Sequence, residues 1–295
     1  MTDTPDPAPP DPAPVVIFGH GAPLDAPVLT GLSLRDVTRR FHDGDAESRI
    51  APLLEPFLDP FVRAFLLGLE ARAFDAAAAI VVWRQGAGAL HAYRYACELR
   101  RLGLLPDGPE LHLWNRAGPA GAAAAAFDAA EDARLALALA GVPRGTVPDR
   151  APAVAALDAA QSTGAISGTV AFERRLRARL TGGMVETGPG PAATGPRLAL
   201  AGAPLGGSGL HTWLETQGRL VLDLQGPDAP TGALGVLLDG RRVERLVWQV
   251  DPHDDLHGWH KPQVRAICAE RGVLFSDLGF VPTWPDVGDL PEVLP

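Results

Sequence analysis

"DAAAAIVVWRQGAGALHAYRYACELRRLGLLPDGPELHLWNRAG", residues 75–118, contains three elements of one structural unit. The apolar run 75–88 predicts a buried strand that opens into a glycine loop. Residues 89–104 repeat apolar side chains with the 3.6-residue period of a helix, and 109–118 predict another strand. Two strands joined by a helix imply parallel pairing with a right-handed crossover.

The segments on either side extend this unit. "PVVIFGHGAP" (14–23) is a β-branched run that ends in glycine and proline, so it predicts a first strand and its loop. Residues 49–72 predict a helix with prolines near its start, and 120–142 predict a long alanine-rich helix.

A second unit, in which predicted strands and helices also alternate, comes after a predicted helix at 154–183 and a predicted loop at 184–196. Its predicted strands are 197–209, 220–226, 243–250 and 273–280, and its predicted helices are 210–219 and 261–272. We therefore predict an α/β fold of two doubly wound parallel-sheet (flavodoxin/Rossmann-like) units with a helical connection. The predicted boundaries are a disordered tail at 1–14, an N-terminal α/β domain at 15–145, a helical connection and loop at 146–196 and a C-terminal α/β domain at 197–295.

Composition excludes several classes of function. The net charge of −9 argues against nucleic acid as a partner, which requires a basic surface. No apolar run approaches the roughly 20 residues of a membrane span. The acidic, proline-rich start has no features of a signal peptide, and the two cysteines, Cys97 and Cys268, are predicted to be buried structural thiols. We therefore predict a cytoplasmic protein that does not bind a membrane.

The histidine-rich stretch "QVDPHDDLHGWHKPQVRAI" (249–267) is the first candidate site. Its residues His253, His257 and His260 have i, i+4, i+7 spacing, and imidazole and carboxylate are common metal ligands. Pro252 and Gly258 argue against a continuous helix through them. The stretch therefore predicts mainly a polar loop, with a metal site or a metal-free pocket wall as alternatives, and His257 and His260 are predicted to be loop residues.

The glycine-rich loop "AGAPLGGSGLH" (201–211) is the second candidate. It lacks the G-x-G-x-x-G spacing of dinucleotide sites, so it is typical of a tight strand-to-helix turn. Gly206, Ser208 and the loop amides could still hold a phosphate or a carbonyl group at the helix start. His20 follows a strand and His91 lies on a helix; an isolated histidine at either place is more often structural than functional.

The order of these pieces resembles the 2-hydroxyacyl-CoA dehydratase and benzoyl-CoA reductase subunits, the D-component family of atypical dehydratases. The resemblance spans roughly residues 15–280. It is carried by "LEPFLDPFVRAFLLGLEARAFDAAAAIVVWRQGAGALHAYRYACELRRLG", "ISGTVAFERRL", "RLALAGAPLGGSGLHTWLETQGRLVLDL" and "VERLVWQVDPHDDLHGWHKPQVRAICAERGVLFSDLGF".

The resemblance implies a divergent member of this family that has lost its iron–sulfur ligands. Family subunits hold a [4Fe–4S] cluster through three strand-end cysteines, and these positions correspond to Gly19, Gly86 and Val250. Since such clusters require thiolates, no cluster is expected in this chain. The implied function is a cluster-less subunit that shapes an acyl-CoA pocket beside a [4Fe–4S]-bearing homologous partner in a heterodimer, or with itself in a homodimer.

The alternative is a stand-alone protein or enzyme that uses a histidine-lined cavity at the former cluster site. Each lost cysteine has polar neighbours, and we expect these side chains to converge: His20, Arg84, Gln85, His91 and His253. Three of the histidines, His20, His91 and His253, together with Asp251 could hold a mononuclear divalent metal. Without a metal, Arg84 and the histidines could bind an anionic ligand.

Overall fold

The computed structural model describes residues 13–44, 47–84, 86–117, 121–146, 149–225, 232–251 and 256–294. Most of the predicted tail, the pocket candidates Gln85 and His253, and Asp254 and Asp255 of the histidine-rich stretch lie outside these residues.

The first unit is a four-stranded parallel sheet in the order β2-β1-β3-β4. Its strands are β1 (Val15–Phe18), β2 (Leu34–Asp36), β3 (Ala79–Arg84) and β4 (Leu111–Asn115), with helices α1 (Pro60–Glu70), α2 (Ala87–Arg101) and α3 (Ala122–Ala138). Side chains of β1 and β3 alternate between two buried clusters, one under α1 and α2 and the other under α3. Burial on both faces explains why these strands read as continuous apolar runs.

The second unit repeats the arrangement in the order β6-β5-β7-β8. Its strands are β5 (Arg197–Gly202), β6 (Arg219–Gln225), β7 (Arg245–Val250) and β8 (Leu274–Phe280). The helices are α4 (Ala151–Thr163), α5 (Gly168–Thr181), α6 (Gly209–Gln217), α7 (Leu234–Gly240) and α8 (Leu256–Glu270). Two parallel sheets flanked by helices confirm the predicted α/β doubly wound class. The domain boundaries stay a prediction.

Both sheets reverse their strand order at the same place, between β1 and β3 and between β5 and β7. A glycine ends the first strand of each pair, Gly19 after β1 and Gly202 in β5, with φ angles of +136° and +118°. Their backbones lie against the carbonyl oxygens of Trp83 and Gln249. Such reversal points leave a crevice beyond the carboxyl ends of the strands, where open α/β sheets bind ligands.

Two predicted helices are shorter than expected. The segment 49–72 forms a 3₁₀ turn at Ala51–Leu53 and a helix only from Pro60, because Pro56 and Pro60 restrict the residues before them. The segment 154–183 is divided into α4 and α5. Gly164 ends α4 in the left-handed conformation, and Ser167 caps the start of α5.

The prediction that His257 and His260 lie in a loop is wrong, because α8 includes both. The helix begins at Leu256, so Pro262 lies in its second turn and not in its first. Two short elements were also missed, β2 and α7. Three and seven residues are too few for a clear apolar period.

The two cysteines differ in their surroundings. Cys268 on α8 is buried as predicted, whereas Cys97 on α2 is exposed, which corrects the prediction for that residue. Among the described residues, no helix is both long enough and apolar enough to span a membrane.

Two features join the units. Helix α5 contacts β2 of the first sheet and β6 of the second. Trp284, near the end of the chain, packs its ring against Phe41 and Phe61 of the first unit, at 5.1–5.2 Å between ring centroids. In the second unit the ring lies against Gly206 and Gly207, and a Cβ at Gly206 would lie 2.1 Å from the indole nitrogen.

Candidate anion-binding site

A cavity of about 360 Å³ lies between the two sheets. Its wall includes residues of α4, α5, β6 and α7, together with Arg39, which follows β2. Four arginines and two aspartates line it: Arg39, Arg175, Arg179, Arg241, Asp158 and Asp223. The cavity therefore has an excess of positive charge in a protein whose net charge is −9.

Arg39 is held at the cavity by a turn after β2. Asp36 accepts a hydrogen bond from the backbone N–H of Thr38 at 3.0 Å, and the hydroxyl of Thr38 accepts one from the N–H of Gly19 at 2.9 Å. These contacts link the ends of β1 and β2. The turn fixes the backbone of the residue that follows it.

The guanidinium group of Arg39 has no carboxylate at ion-pair distance and no hydrogen bond to any residue that the structure describes. It contacts the ring of Phe172, whose centroid lies 5.7 Å from Cζ. Burial and the nearby charge of Arg179 lower the pKa of Arg39 to about 10, while the charges of Asp223 and Asp36 act in the opposite direction. Arg39 is therefore a half-buried cation at neutral pH, and neither of these two carboxylates is bound to it.

Its neighbours on α5 are paired. Arg175 donates hydrogen bonds to Asp158 and to the side-chain oxygen of Gln161, each at 2.7 Å. Arg179, one turn further along the helix, lies 3.3 Å from a carboxylate oxygen of Asp36. These contacts fix two guanidinium groups on one face of α5.

The acidic side of the cavity contains a buried pair, Asp223 on β6 and His211 on α6. Nε2 of His211 lies 3.1 Å from Oδ2 of Asp223, and the imidazole stacks on Phe172 at 4.1 Å between ring centroids. Burial alone would raise the pKa of Asp223, but the hydrogen bond from His211 and the charges of Arg175 and Arg39 hold it below its ordinary value. Asp223 is therefore ionised, and His211 donates from Nε2.

His20 also lies near this arginine group. Burial, reinforced by the charges of Arg39, Arg179 and His257, lowers the pKa of His20 to about 3. Its ring packs edge-on against Phe61, with centroids 4.6 Å apart. His20 is thus a neutral imidazole at neutral pH, close to the cations but outside the cavity wall.

The remaining predicted pocket residues lie on different elements. Arg84 is exposed at the end of β3, with a contact of 3.3 Å to the side chain of Asn115. His91 is exposed on α2. Asp251 is buried after β7, and the hydroxyl of Thr283 lies 3.4 Å from its Oδ2. Within the part of the chain that the structure describes, neither Arg84 nor His91 forms a hydrogen bond or ion pair with His20.

Several polar groups of the glycine-rich loop already form hydrogen bonds within the protein. The N–H of Gly206 donates to the carbonyl oxygen of Thr283 at 2.8 Å, and the N–H of Leu205 donates to Gln225 at 3.1 Å. Ser208 forms its hydrogen bond with Glu173, at 2.8 Å. With Trp284 against Gly206, these contacts favour the tight-turn interpretation over a phosphate site.

The three positions that the resemblance assigns to cluster ligands all lie at carboxyl ends of strands, but their surroundings differ. A Cβ at Gly19 would lie 2.2 Å from the carbonyl oxygen of Trp83, whereas one at Gly86 would meet no atom within 4 Å. Val250 packs into the core of the second unit. Within the described residues, no group of three or more histidine, cysteine, aspartate or glutamate side chains could hold a metal ion.

The sequence analysis missed the residues of this cavity, among them Arg39, Asp223 and His211. The available signal was local: "RDVTRR" (35–40) clusters three arginines, and Asp223 interrupts the apolar strand "LVLDLQ" (220–225). A charged residue inside a strand of a doubly covered sheet is unusual and needs a partner. His211 is that partner.

Neither family models nor curated proteins give a match to this chain in comparisons with known proteins.

Proposed function

We propose that the protein binds a small organic anion, with a phosphate or carboxylate group, in the cavity between its two sheets. The observation that carries this proposal is Arg39, a charged guanidinium group that lines the cavity without an acidic partner among the described residues.

The physical reason is the cost of an unpaired charge. Transfer of a cation away from water is unfavourable unless hydrogen bonds and an opposite charge compensate for it. An anion in the cavity would supply both, because a guanidinium group pairs with phosphate or carboxylate through two parallel hydrogen bonds. Arg179, whose charge acts on Arg39, adds to the attraction.

The position of the cavity supports the same proposal. Arg39 follows the carboxyl end of β2, and Asp223 and Gln225 lie at the carboxyl end of β6. Ligands of open parallel sheets bind beyond the carboxyl ends of the strands, although β2 and β6 are edge strands and not the strands that flank the reversal. A volume of about 360 Å³ is in the range of small-molecule sites.

The test is a titration of the purified chain with inorganic phosphate, followed by calorimetry or thermal unfolding. Arg39→Met removes the charge but keeps an apolar stem, and we expect it to weaken phosphate binding at least tenfold. Arg101→Met is the matched control, because Arg101 is exposed on α2 and pairs with Glu98. Equal phosphate affinity of wild type and Arg39→Met would refute the proposal.

The resemblance supplies a second candidate, a cluster-less subunit of a dehydratase-like or reductase-like complex. An acyl-CoA ligand carries phosphate groups, which an arginine-lined cavity favours. In this version the [4Fe–4S] cluster belongs to a homologous partner, and this chain shapes the acyl-CoA pocket. Anaerobic co-expression with a cysteine-bearing homologue that gives no complex and no iron–sulfur absorbance would contradict it.

We also propose a cytoplasmic location and no nucleic-acid partner, because the chain is acidic and its two cysteines are free thiols. Fractionation of cells that express the protein, with immunodetection, tests the location. Recovery in the membrane or extracellular fraction would refute it.

A further inference from the structure

The cavity presents an acceptor as well as cations. Asp223 lines the wall as a buried carboxylate, and no arginine or lysine in the described residues forms an ion pair with it. Asp158, the other acid of the wall, differs because Arg175 is bound to it at 2.7 Å. Asp223 thus carries a negative charge whose direct side-chain partner in the described part of the chain is His211.

The hydrogen-bonding capacity of Asp223 is only partly used. Oδ2 accepts from His211 at 3.1 Å, and Oδ1 accepts from the backbone N–H of Gln225 at 3.3 Å. An ionised carboxylate offers about four acceptor sites. The remaining acceptor capacity is available to a donor in the cavity.

Gln225 provides the complementary donor. Its side-chain oxygen accepts from the N–H of Leu205 at 3.1 Å, which directs its side-chain nitrogen towards His211 at 3.4 Å. Since Nε2 of His211 carries the proton that Asp223 accepts, it cannot accept another. The amide hydrogens of Gln225 therefore have no acceptor in that contact, at a residue that lines the cavity.

We propose that the anion bound in this cavity is hydroxylated, of the polyol phosphate class, with its phosphate on Arg39 and a hydroxyl group between Asp223 and Gln225. This inference rests on the proposed function, because it places the anionic group on Arg39. A hydroxyl group meets both needs of the acidic wall: it donates to the Asp223 carboxylate and accepts from the Gln225 amide. A plain alkyl phosphate meets neither, and it would leave the remaining acceptor capacity of Asp223 unused.

The test compares three probes by calorimetry on the full chain: inorganic phosphate, propyl phosphate and glycerol 3-phosphate. The two esters have the same number of carbon atoms and differ in their hydroxyl groups. We expect glycerol 3-phosphate to bind about tenfold more tightly than propyl phosphate, since a hydrogen bond to a charged group contributes that much or more.

Two variants locate the effect. Asp223→Asn is expected to reduce the preference for glycerol 3-phosphate at least fivefold and to leave inorganic phosphate bound as well as in wild type or more tightly, because a negative charge is gone. Asp239→Asn is the matched control, because Asp239 lies outside the cavity wall and pairs with Arg271, so the preference is expected to remain. If Asp223→Asn fails to fold, the comparison of probes on wild type decides alone.

The outcomes separate this inference from the proposed function. Equal affinities for propyl phosphate and glycerol 3-phosphate would overturn the inference and leave the anion site intact. Binding of none of the three probes would overturn both.

Discussion

Gly19 and Trp83 approach so closely that a Cβ added to Gly19 would lie 2.2 Å from the carbonyl oxygen of Trp83. Gly19 also has a φ angle of +136°, a conformation that side chains other than glycine rarely adopt. The close approach of β1 and β3 at this point therefore requires a residue without a side chain at position 19. A cysteine, which the resemblance places here in cluster-bearing relatives, would require β3 to move.

We expect Gly19→Ala to lower the free energy of unfolding by about 2–4 kcal/mol, because both the clash and the backbone strain oppose the native state. Urea denaturation measures the change. Gly86→Ala is the control: its φ angle is −125° and a Cβ there would meet no atom within 4 Å, so we expect a change within about 0.5 kcal/mol. Equal losses in the two variants would contradict this account of Gly19.

His20 predicts a loss of stability in acid. The pKa of His20 is about 3 in the folded chain and near 6.5 in the unfolded chain, so between these values only the unfolded state binds the proton. The free energy of unfolding therefore rises as the pH rises towards 6.5, and it falls as the pH falls below that value. The neighbouring cations Arg39 and Arg179 stay protonated over this pH range.

We expect His20→Gln to remove part of that pH dependence. Between pH 7 and pH 5 the wild type should lose about 1–2 kcal/mol more stability than the variant, as measured by urea denaturation at each pH. His91→Gln, at an exposed position on α2, should keep the wild-type slope. The prediction fails if His20→Gln and wild type have the same slope.

We expect the side chain of Trp284 to contribute strongly to the stability of the junction between the two units. Trp284→Ala removes the ring that packs on Phe41, Phe61 and the Gly206 loop, and we expect a loss of about 2–4 kcal/mol in the free energy of unfolding. Trp259 has 77% of its surface exposed, so Trp259→Ala should cost less than half as much. A comparable cost for both would show that Trp284 does not hold the junction.

The different exposure of the two thiols predicts that they differ in reactivity. Cys97 is exposed, while Cys268 is fully buried and burial raises its pKa to about 11. Since the thiolate is the reactive form, one thiol per native chain should react rapidly with Ellman's reagent at pH 8, and two should react in denaturant. Cys97→Ser should abolish the rapid reaction. A rapid reaction that persists in this variant would place Cys268 within reach of solvent.

The sequence allowed the two sheets to be predicted because their central strands are buried on both faces. The runs that became β3, β5 and β7 are short, apolar and bounded by glycine or charged residues, which is typical of parallel strands. Strand β2 escaped prediction because "LRD" has an exposed arginine at its centre. Its pairing with β1 and its contact with α5 hold it in place, and neither is visible in three residues.

The candidate site was harder to predict because its members are remote in sequence. Arg39, Phe172 and Asp223 are brought together only by the packing of α5 between two edge strands. His20 was noticed because it directly follows a strand, and burial near arginines makes it neutral. The cluster of histidines at 253–260 drew attention by its composition, yet His257 became part of a helix and is buried near Trp248.

The position of α5 has a consequence for how the chain can be divided. A cut after α3 would assign α5 to the second half and uncover the edge strand β2 in the first. Exposed edge strands are templates for intermolecular pairing, and native proteins protect them. Helix α5 therefore covers the edge of the first sheet although it belongs to the second half of the sequence. We expect residues 1–146 expressed alone to aggregate, and we expect addition of a fragment that contains α5 to reduce this aggregation.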